Sequence, residues 1–239
     1  MARANRHFIP GHAWHITHRC HKREFLLKFT QDRRCWLRWL FEARKRYNLS
    51  ILNYCVTSNH IHLLVVDSGS NIIPQSMQLI AGRTAQEYNR RKKRLGAFWE
   101  DRYHATAVQK NHHLVRCMIY IDLNMVRAGV VDHPSQWLHC GYNEIINPPQ
   151  RYHLIDRNTL MQILNIPSET ALINTYKDWI DASLIATGRE SCWSRTVAVG
   201  SAEYVSQIKK ELGIKAQGRS VRKNNQMHEL REPLHTYNP

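Results

Sequence analysis

Apolar and polar residues alternate along several stretches in the first half of the chain, and this period of two is typical of β-strands. Between these stretches, apolar residues recur every three or four positions, which is typical of helices with one buried face. The two periods predict strands at residues 12–19, 49–56, 60–66 and 98–108, and helices at residues 30–47, 74–93 and 111–128. The order β-α-β-β-α-β-α predicts an α+β fold with a ferredoxin-like antiparallel sheet and one added helix.

The last part of the chain has a different pattern, and Pro148-Pro149 marks a predicted boundary. We therefore expect one domain at residues 1–147 and a smaller helical region at residues 148–239. Helical periods within that region cover residues 158–164, 169–187 and 201–212. Residues after Gly213 are basic and then polar, which predicts a mobile tail.

The charge of the chain indicates a polyanionic partner. The 239 residues include 34 Lys and Arg against 19 Asp and Glu, a net charge of +15. The first 150 residues hold 22 of the basic and 10 of the acidic residues, and so most of the excess. A surplus of this size favours nucleic acid as the partner, although it also serves solubility.

The cysteines and the hydropathy pattern indicate the cellular compartment in which the protein is expected. Six cysteines are scattered without a pair at CxxC spacing, which suits a reducing environment. No apolar run approaches the ~20 residues of a membrane span, and the N-terminus lacks a secretory signal. We expect a cytoplasmic protein with no membrane partner, associated with the nucleoid when it is bound to DNA.

Two histidines, His60 and His62, lie two positions apart in one predicted strand. Residues at i and i+2 of a strand share a face, so the two imidazoles point the same way. Two imidazoles placed in this manner can share one metal ion. Structural histidines on an apolar strand are the ordinary alternative.

The third predicted helix has one polar face. Successive residues turn by ~100°, so Arg116, Tyr120, Asn124 and Arg127 fall within one arc, opposite the apolar residues. Tyrosine is a known covalent nucleophile when a cation or base assists it. The Asn124 carbonyl, four residues after Tyr120, would complete an N,N,O ligand set with the two histidines. A set without thiolate favours Mg²⁺ or Mn²⁺ over structural zinc.

Several basic and aromatic residues are candidates for DNA binding. Their cationic groups suit phosphates, and their rings suit unpaired bases. A solvated helix face and packing in the core are the alternatives for these residues. The candidates are Arg116, Arg127, Arg90, Arg91, Lys92, Lys93, Arg94, Arg102, Trp14 and Tyr103.

Four motifs in the right order resemble a known family. Asn-His-Ile-His-Leu-Leu-Val at residues 59–65 resembles the His-hydrophobe-His (HUH) motif of single-tyrosine transposases. Tyr-Ile-Asp-Leu-Asn-Met-Val-Arg-Ala-Gly at residues 120–129 resembles the tyrosine helix of their REP-associated branch. Residues 14–19 and 98–103 are similar to further segments of that branch. The resemblance covers residues 5–145, and Met125 departs from it where the branch commonly has proline.

The resemblance implies a ferredoxin-like transposase and nuclease domain that uses a divalent metal. It also implies cleavage of single-stranded DNA beside a hairpin of the repetitive extragenic palindrome (REP) type, through a 5′-phosphotyrosine intermediate. By position, Tyr120 is the expected nucleophile, and His60, His62 and Asn124 are the expected metal ligands. The protein is expected to act as a monomer or a homodimer, with Tyr120 serving its own chain or a partner.

Two other functions fit parts of the same pattern. A ferredoxin-like sheet can bind RNA or DNA through aromatic residues without catalysis. A metallo-phosphoesterase could use water, with Tyr120 incidental to the reaction. Neither alternative needs the two histidines and the tyrosine together with a covalent intermediate.

Overall fold

The computed structural model describes residues 8–185, 192–194, 196–224 and 227–231. In chain order, the strands are β1 Ala13–Arg19, β2 Ser50–Val56, β3 His60–Val66, β4 His104–Val108, β5 Thr196–Gly200, β6 Ser220–Asn224 and β7 Met227–Arg231. The helices are α1 Thr30–Tyr47, α2 Ile72–Lys92, α3 His112–Asp122, α4 Asn124–Arg127, α5 Gly141–Ile146, α6 Arg157–Leu164, α7 Glu169–Ile185 and α8 Ala202–Leu212. None of the helices described is both long and apolar enough to cross a membrane.

The first four strands form a ferredoxin-like sheet, as predicted. Their order is β2-β3-β1-β4, and all three neighbouring pairs are antiparallel. β1 lies at the centre of this group, between β3 and β4. The α+β fold expected from the period of two and the period of three to four is therefore confirmed.

Three further strands extend this sheet to seven. β5 pairs with β4 in parallel, and β7 and β6 follow in antiparallel order. The C-terminal region was predicted to be helical. It contains the helices α6, α7 and α8, and it also contains the strands β5, β6 and β7, which were not predicted. Part of the tail predicted after Gly213 forms β6 and β7, and its mobility stays a prediction. Residues 232–239 lie outside the described part, and the boundary at residues 147/148 stays a prediction.

Two N-terminal elements differ from their predicted bounds. The strand predicted at residues 98–108 begins only at His104, and Trp99 makes an isolated pairing with Cys20. The third helix is interrupted at Leu123, whose φ of −80° and ψ of 4° leave the helical region. Gly129, with φ of +67°, follows α4 at the left-handed position where glycine commonly ends a helix.

The two faces of the sheet have different partners. The Trp99 ring stacks on His18 of β1 and its indole donates to the Ala81 carbonyl of α2, so α2 covers that face. The helix α1 packs along α2. Alternation along β1 directs His15 to the opposite face, where it meets His62 of β3. Helix α3 also contacts β3 on this second face.

Candidate metal centre and nucleophile

His62 lies at the centre of the candidate site. Its Nδ1 is 3.0 Å from Nε2 of His15, and its Nε2 is 3.0 Å from the side-chain nitrogen of Asn124. The antiparallel register pairs Thr17 with His62, which places His15 diagonally opposite on the same face. His62 is therefore held on both ring nitrogens, from β1 and from α4.

His60 begins β3 and is oriented by the turn before it. Its Nδ1 is 2.7 Å from Oδ1 of Asn59 and 2.9 Å from the Thr57 hydroxyl. Its ring centroid lies 4.8 Å from that of His62. The predicted convergence of the two imidazoles is thus present in the structure.

Tyr120 approaches the histidines from α3. Its ring meets His62 edge-on at 5.5 Å and His15 at 6.0 Å. The Trp193 ring lies 6.3 Å away and the Arg127 guanidinium 5.9 Å away, and only 5% of Tyr120 is exposed. Tyr120 is therefore covered by its neighbours, whereas Arg127, on the same predicted polar face, is exposed.

The interruption at Leu123 positions Asn124. Asn124 is the first residue of α4 rather than a continuation of α3, and it is 9% exposed. Its side chain nevertheless reaches His62, as the spacing of four from Tyr120 predicts. The four residues expected from the sequence thus meet within one chain.

The donor chemistry of this cluster fits a hard or borderline divalent ion. Within the described residues, no three His, Cys, Asp or Glu side chains group in a way that could hold a metal ion. A site at His60 and His62 therefore needs a ligand of another type, and Asn124 lies in contact with His62. Two imidazoles and one amide oxygen would leave positions open for water and phosphate.

Burial shifts the pKa of two ionisable groups near the site. Complete burial lowers the pKa of His15 to about 3, so its imidazole is neutral at physiological pH. Burial likewise raises the pKa of Asp122 to about 7. The Asp122 carboxyl group accepts hydrogen bonds from Tyr176, Asn53 and the backbone of Tyr142. It faces away from His62 and supports the packing behind α3.

The cationic candidates for DNA binding have different surroundings. Arg127 of α4 lies beside Tyr120, and Arg116 is half-buried on α3, the helix that carries Tyr120. Arg91 forms an ion pair with Asp32, and Arg94 contacts Glu24 at 3.5 Å. The remaining candidates are exposed: Arg90, Lys92, Lys93 and Arg102.

The two aromatic candidates also differ. Trp14 is 2% exposed and packs edge-on against Phe8 at 4.9 Å, on the face opposite the histidines. This burial agrees with the alternative of packing in the core, and a DNA contact of Trp14 stays a prediction. Tyr103 is half-buried near His18, and its DNA contact stays a prediction.

His15 and Trp193 belong to this site but were not predicted from the sequence. Alternation within residues 12–19 places His15 on a different face from Trp14, which was a usable signal. The pairing of β1 beside β3, which brings His15 to His62, is non-local and has no signature in the sequence. The Trp193 carbonyl, 2.8 Å from Nδ1 of His15, is a backbone group and leaves no sequence signal.

A family model and solved structures of other proteins match part of this chain. The family model described as "Transposase IS200 like" matches residues 9–124. No curated protein matches the sequence. A solved structure of a REP-associated tyrosine transposase bound to a REP hairpin is 19% identical, with a TM-score of 0.52, and covers 62% of this chain and 87% of that chain. A crystal structure of a putative transposase from Deinococcus radiodurans R1 is 16% identical, with a TM-score of 0.36, and covers 50% of this chain and 95% of that chain.

Proposed function

We propose that this chain, whose residues 9–124 match the family model described as "Transposase IS200 like", is a metal-dependent endonuclease and strand-transferase for single-stranded DNA. The observation that carries this proposal is the convergence of His60, His62, Tyr120 and Asn124 on one face of the sheet. A sheet that only binds nucleic acid has no need for a tyrosine beside paired imidazoles.

Tyr120 is the proposed nucleophile. Its phenol oxygen would attack the phosphorus of a DNA phosphodiester, form a new P–O bond and give up its proton. The bond between phosphorus and the 3′ oxygen would break, and that oxygen would take up a proton to become a 3′-OH. The product is a 5′-phosphotyrosine link, and attack by a 3′-OH on that link rejoins the strands.

His60, His62 and Asn124 would hold a divalent ion, either Mg²⁺ or Mn²⁺. When bound, such an ion withdraws charge from the scissile phosphate and fixes it for in-line attack. The protein residues supply two neutral imidazoles and one amide, which leaves the positive charge of the ion uncompensated by the ligands. Arg127, beside the Tyr120 ring, adds a second positive group on the same side.

The proposed substrate is single-stranded DNA next to a hairpin of the REP type. The solved relative with 19% identity binds a REP hairpin, and we extend that class of partner to this chain. The end of β1 supports the extension, because Arg19 pairs with His60 and accepts a hydrogen bond from the Glu100 backbone. The basic segment that contains Arg94 and Arg102 therefore runs past the end of the sheet at which His60 lies.

The proposal is tested by incubating the protein with a hairpin-flanked single-stranded oligonucleotide and Mn²⁺. We expect a covalent protein–DNA adduct that migrates slowly on a denaturing gel and disappears on addition of a chelator. Tyr120→Phe is expected to abolish it, because the phenyl ring lacks the attacking oxygen. Tyr152→Phe, which changes a tyrosine that is 76% exposed, is the matched control and should form the adduct normally.

The alternatives give different results in the same assay. An equal adduct with Tyr120→Phe would rule out Tyr120 as the nucleophile. Metal-dependent cleavage without any adduct would indicate a phosphoesterase that uses water. Binding without cleavage, unaffected by a chelator, would indicate a noncatalytic nucleic-acid-binding module.

One chain suffices for the proposed site, because Tyr120 and His62 of the same chain are 5.5 Å apart between ring centroids. We therefore propose that Tyr120 acts in its own chain, as a monomer or within a homodimer. Mixing Tyr120→Phe with His62→Ala distinguishes the two arrangements. Neither variant should form the adduct alone, and the mixture should recover it only if the tyrosine serves a partner.

A further inference from the structure

We propose that His15 is a positioning residue that holds His62 in the tautomer with its lone pair on Nε2. The Trp193 carbonyl group, in the C-terminal region, fixes the orientation of His15 by accepting its hydrogen bond. The value of this arrangement for metal binding depends on the proposed function, whereas the tautomer itself does not.

The first step concerns the proton on His15. Its Nδ1 lies 2.8 Å from the backbone oxygen of Trp193, and a carbonyl oxygen can only accept a hydrogen bond. Nδ1 of His15 must therefore carry a hydrogen. This assignment needs no assumption about the rest of the site.

The second step concerns the charge on His15. Its side chain is completely buried, and both hydrogen-bond partners, a backbone carbonyl and the imidazole of His62, are neutral groups. A charged imidazolium there would be buried without a counter-ion, at a large cost in free energy. His15 is therefore neutral, and its Nε2 carries a lone pair that accepts a hydrogen bond.

The third step concerns the proton on His62, whose position follows from that of the lone pair on His15. Since Nε2 of His15 accepts, Nδ1 of His62 at 3.0 Å must be the N–H that donates. A neutral His62 then has its lone pair on Nε2, the nitrogen that faces Asn124. Nε2 is therefore the nitrogen available to a cation on the side of Tyr120.

His60 reaches the same tautomer by a different route. The Thr57 hydroxyl donates to the His60 carbonyl oxygen, so toward Nδ1 of His60 it can only accept. The Asn59 side-chain oxygen also accepts there. Nδ1 of His60 is thus the N–H, and a neutral His60, like His62, has its lone pair on Nε2. His60 is set by its own turn, but His62 is set by residues 47 and 131 positions away along the chain.

Groups that orient a metal ligand change metal affinity by about 10- to 100-fold when they are removed. His15→Phe removes both hydrogen bonds and frees His62 to protonate at Nε2, where the hydrogen would block a cation. His15→Gln keeps one acceptor and one donor on a side chain of similar reach. His18→Phe is the matched control, since it makes the same change in β1 on the opposite face of the sheet, where His18 stacks on Trp99.

The first measurement is the tautomer of His62 in the metal-free protein, from long-range ¹⁵N–¹H correlation spectra of the imidazole. We expect protonated Nδ1 and unprotonated Nε2 in the wild type and in His15→Gln, and mixed or reversed tautomers in His15→Phe. A wild-type His62 that is protonated at Nε2 would overturn the proposal. This result stands even if a variant fails to fold.

The second measurement is the dissociation constant for Mn²⁺ alone, followed by electron paramagnetic resonance on variants whose folding is checked by circular dichroism. We expect His15→Phe to weaken binding by about tenfold or more, and His15→Gln and His18→Phe to stay within about threefold of wild type. Equal weakening by His15→Phe and His18→Phe would reduce His15 to an ordinary core residue. If the wild type itself bound no Mn²⁺, the metal-dependent function would fail, and the tautomer alone would decide the role of His15.

Discussion

Asp122 is a buried carboxyl group that joins the N-terminal sheet to helix α7. It accepts a hydrogen bond from the Tyr176 hydroxyl of α7, and another from the Asn53 side chain of β2 at 3.1 Å. All three residues are fully or almost fully buried. A polar group in such a place is costly unless its hydrogen bonds are made, so each donor contributes to stability.

Removal of one donor tests that contribution. Tyr176→Phe keeps the ring but leaves Asp122 with one fewer hydrogen bond, and we expect the free energy of unfolding to fall by about 1–3 kcal/mol. Urea unfolding followed by circular dichroism measures the change. The exposed replacement Tyr152→Phe is the control and should shift it by less than about 0.5 kcal/mol. Equal shifts in the two variants would show that the Tyr176 hydroxyl contributes nothing.

The residues of the site that were predicted from the sequence are those with local spacing. His60 and His62 follow the period of a strand, and Tyr120 and Asn124 follow the period of a helix. His15 and Trp193 escaped prediction because they reach the site through the pairing of β1 with β3 and the return of the C-terminal region. Local spacing can reveal which side chains share a face, but not which distant elements meet.

At the scale of elements, the period of two for strands and of three to four for helices was sufficient to predict the strands and helices in the first part of the chain. It failed for β5 and β6 because they are only five residues long, and β6 is mostly exposed and includes two basic residues. The extended conformation of β5 is stabilised by hydrogen bonds to β4, which is distant in sequence, whereas β6 pairs with β7, which begins three residues after β6 ends. The interruption at Leu123 also went unpredicted, since no proline or glycine marks it.

The basic end of α2 lies at a defined end of the sheet. The chain that follows α2 pairs Trp99 with Cys20, directly after Arg19, and Arg19 pairs with His60. The end of α1 lies elsewhere, because it leads into Ser50, which pairs with the last residue of β3. The ends of the two helices therefore offer similar charge at opposite ends of the strands that form the site.

This difference in position predicts different effects on DNA binding. Replacing Arg90 and Lys92 by glutamine is expected to weaken binding to a hairpin-flanked single strand and to reduce the slope of log K against log salt by about 1.4, or 0.7 per lost phosphate contact. Replacing Lys45 and Arg46 at the end of α1 changes the charge equally and should leave the slope unchanged. Fluorescence anisotropy across a salt series measures both. Equal slopes for the two double variants would show that the position of the charge is unimportant.

At the scale of the whole molecule, the C-terminal region contacts the N-terminal sheet at several places, three of which lie close to the candidate site or behind its helix. β5 continues the sheet beyond β4, Tyr176 donates to Asp122, and the Trp193 carbonyl accepts from His15. The family model ends at residue 124, so all three supports come from outside the matched part. The region beyond residue 147 is therefore a structural component of the candidate site and not only an appendage.

A chain shortened to residues 1–147 tests this dependence. It would lose several buried hydrogen bonds, among them those from Tyr176 to Asp122 and from His15 to the Trp193 carbonyl, together with the pairing of β4 with β5 and the apolar cover around Tyr120. We therefore expect its free energy of unfolding to fall by at least about 3 kcal/mol. Urea unfolding of the two chains measures the loss, and Tyr176→Phe in the full chain shows the share due to one hydrogen bond. The shortened chain should also show mixed tautomers at His62, as in His15→Phe, because His15 would lack its carbonyl partner. A fragment that unfolds at the same urea concentration as the full chain, with His62 still protonated at Nδ1, would mean that residues 1–147 fold and orient the site by themselves.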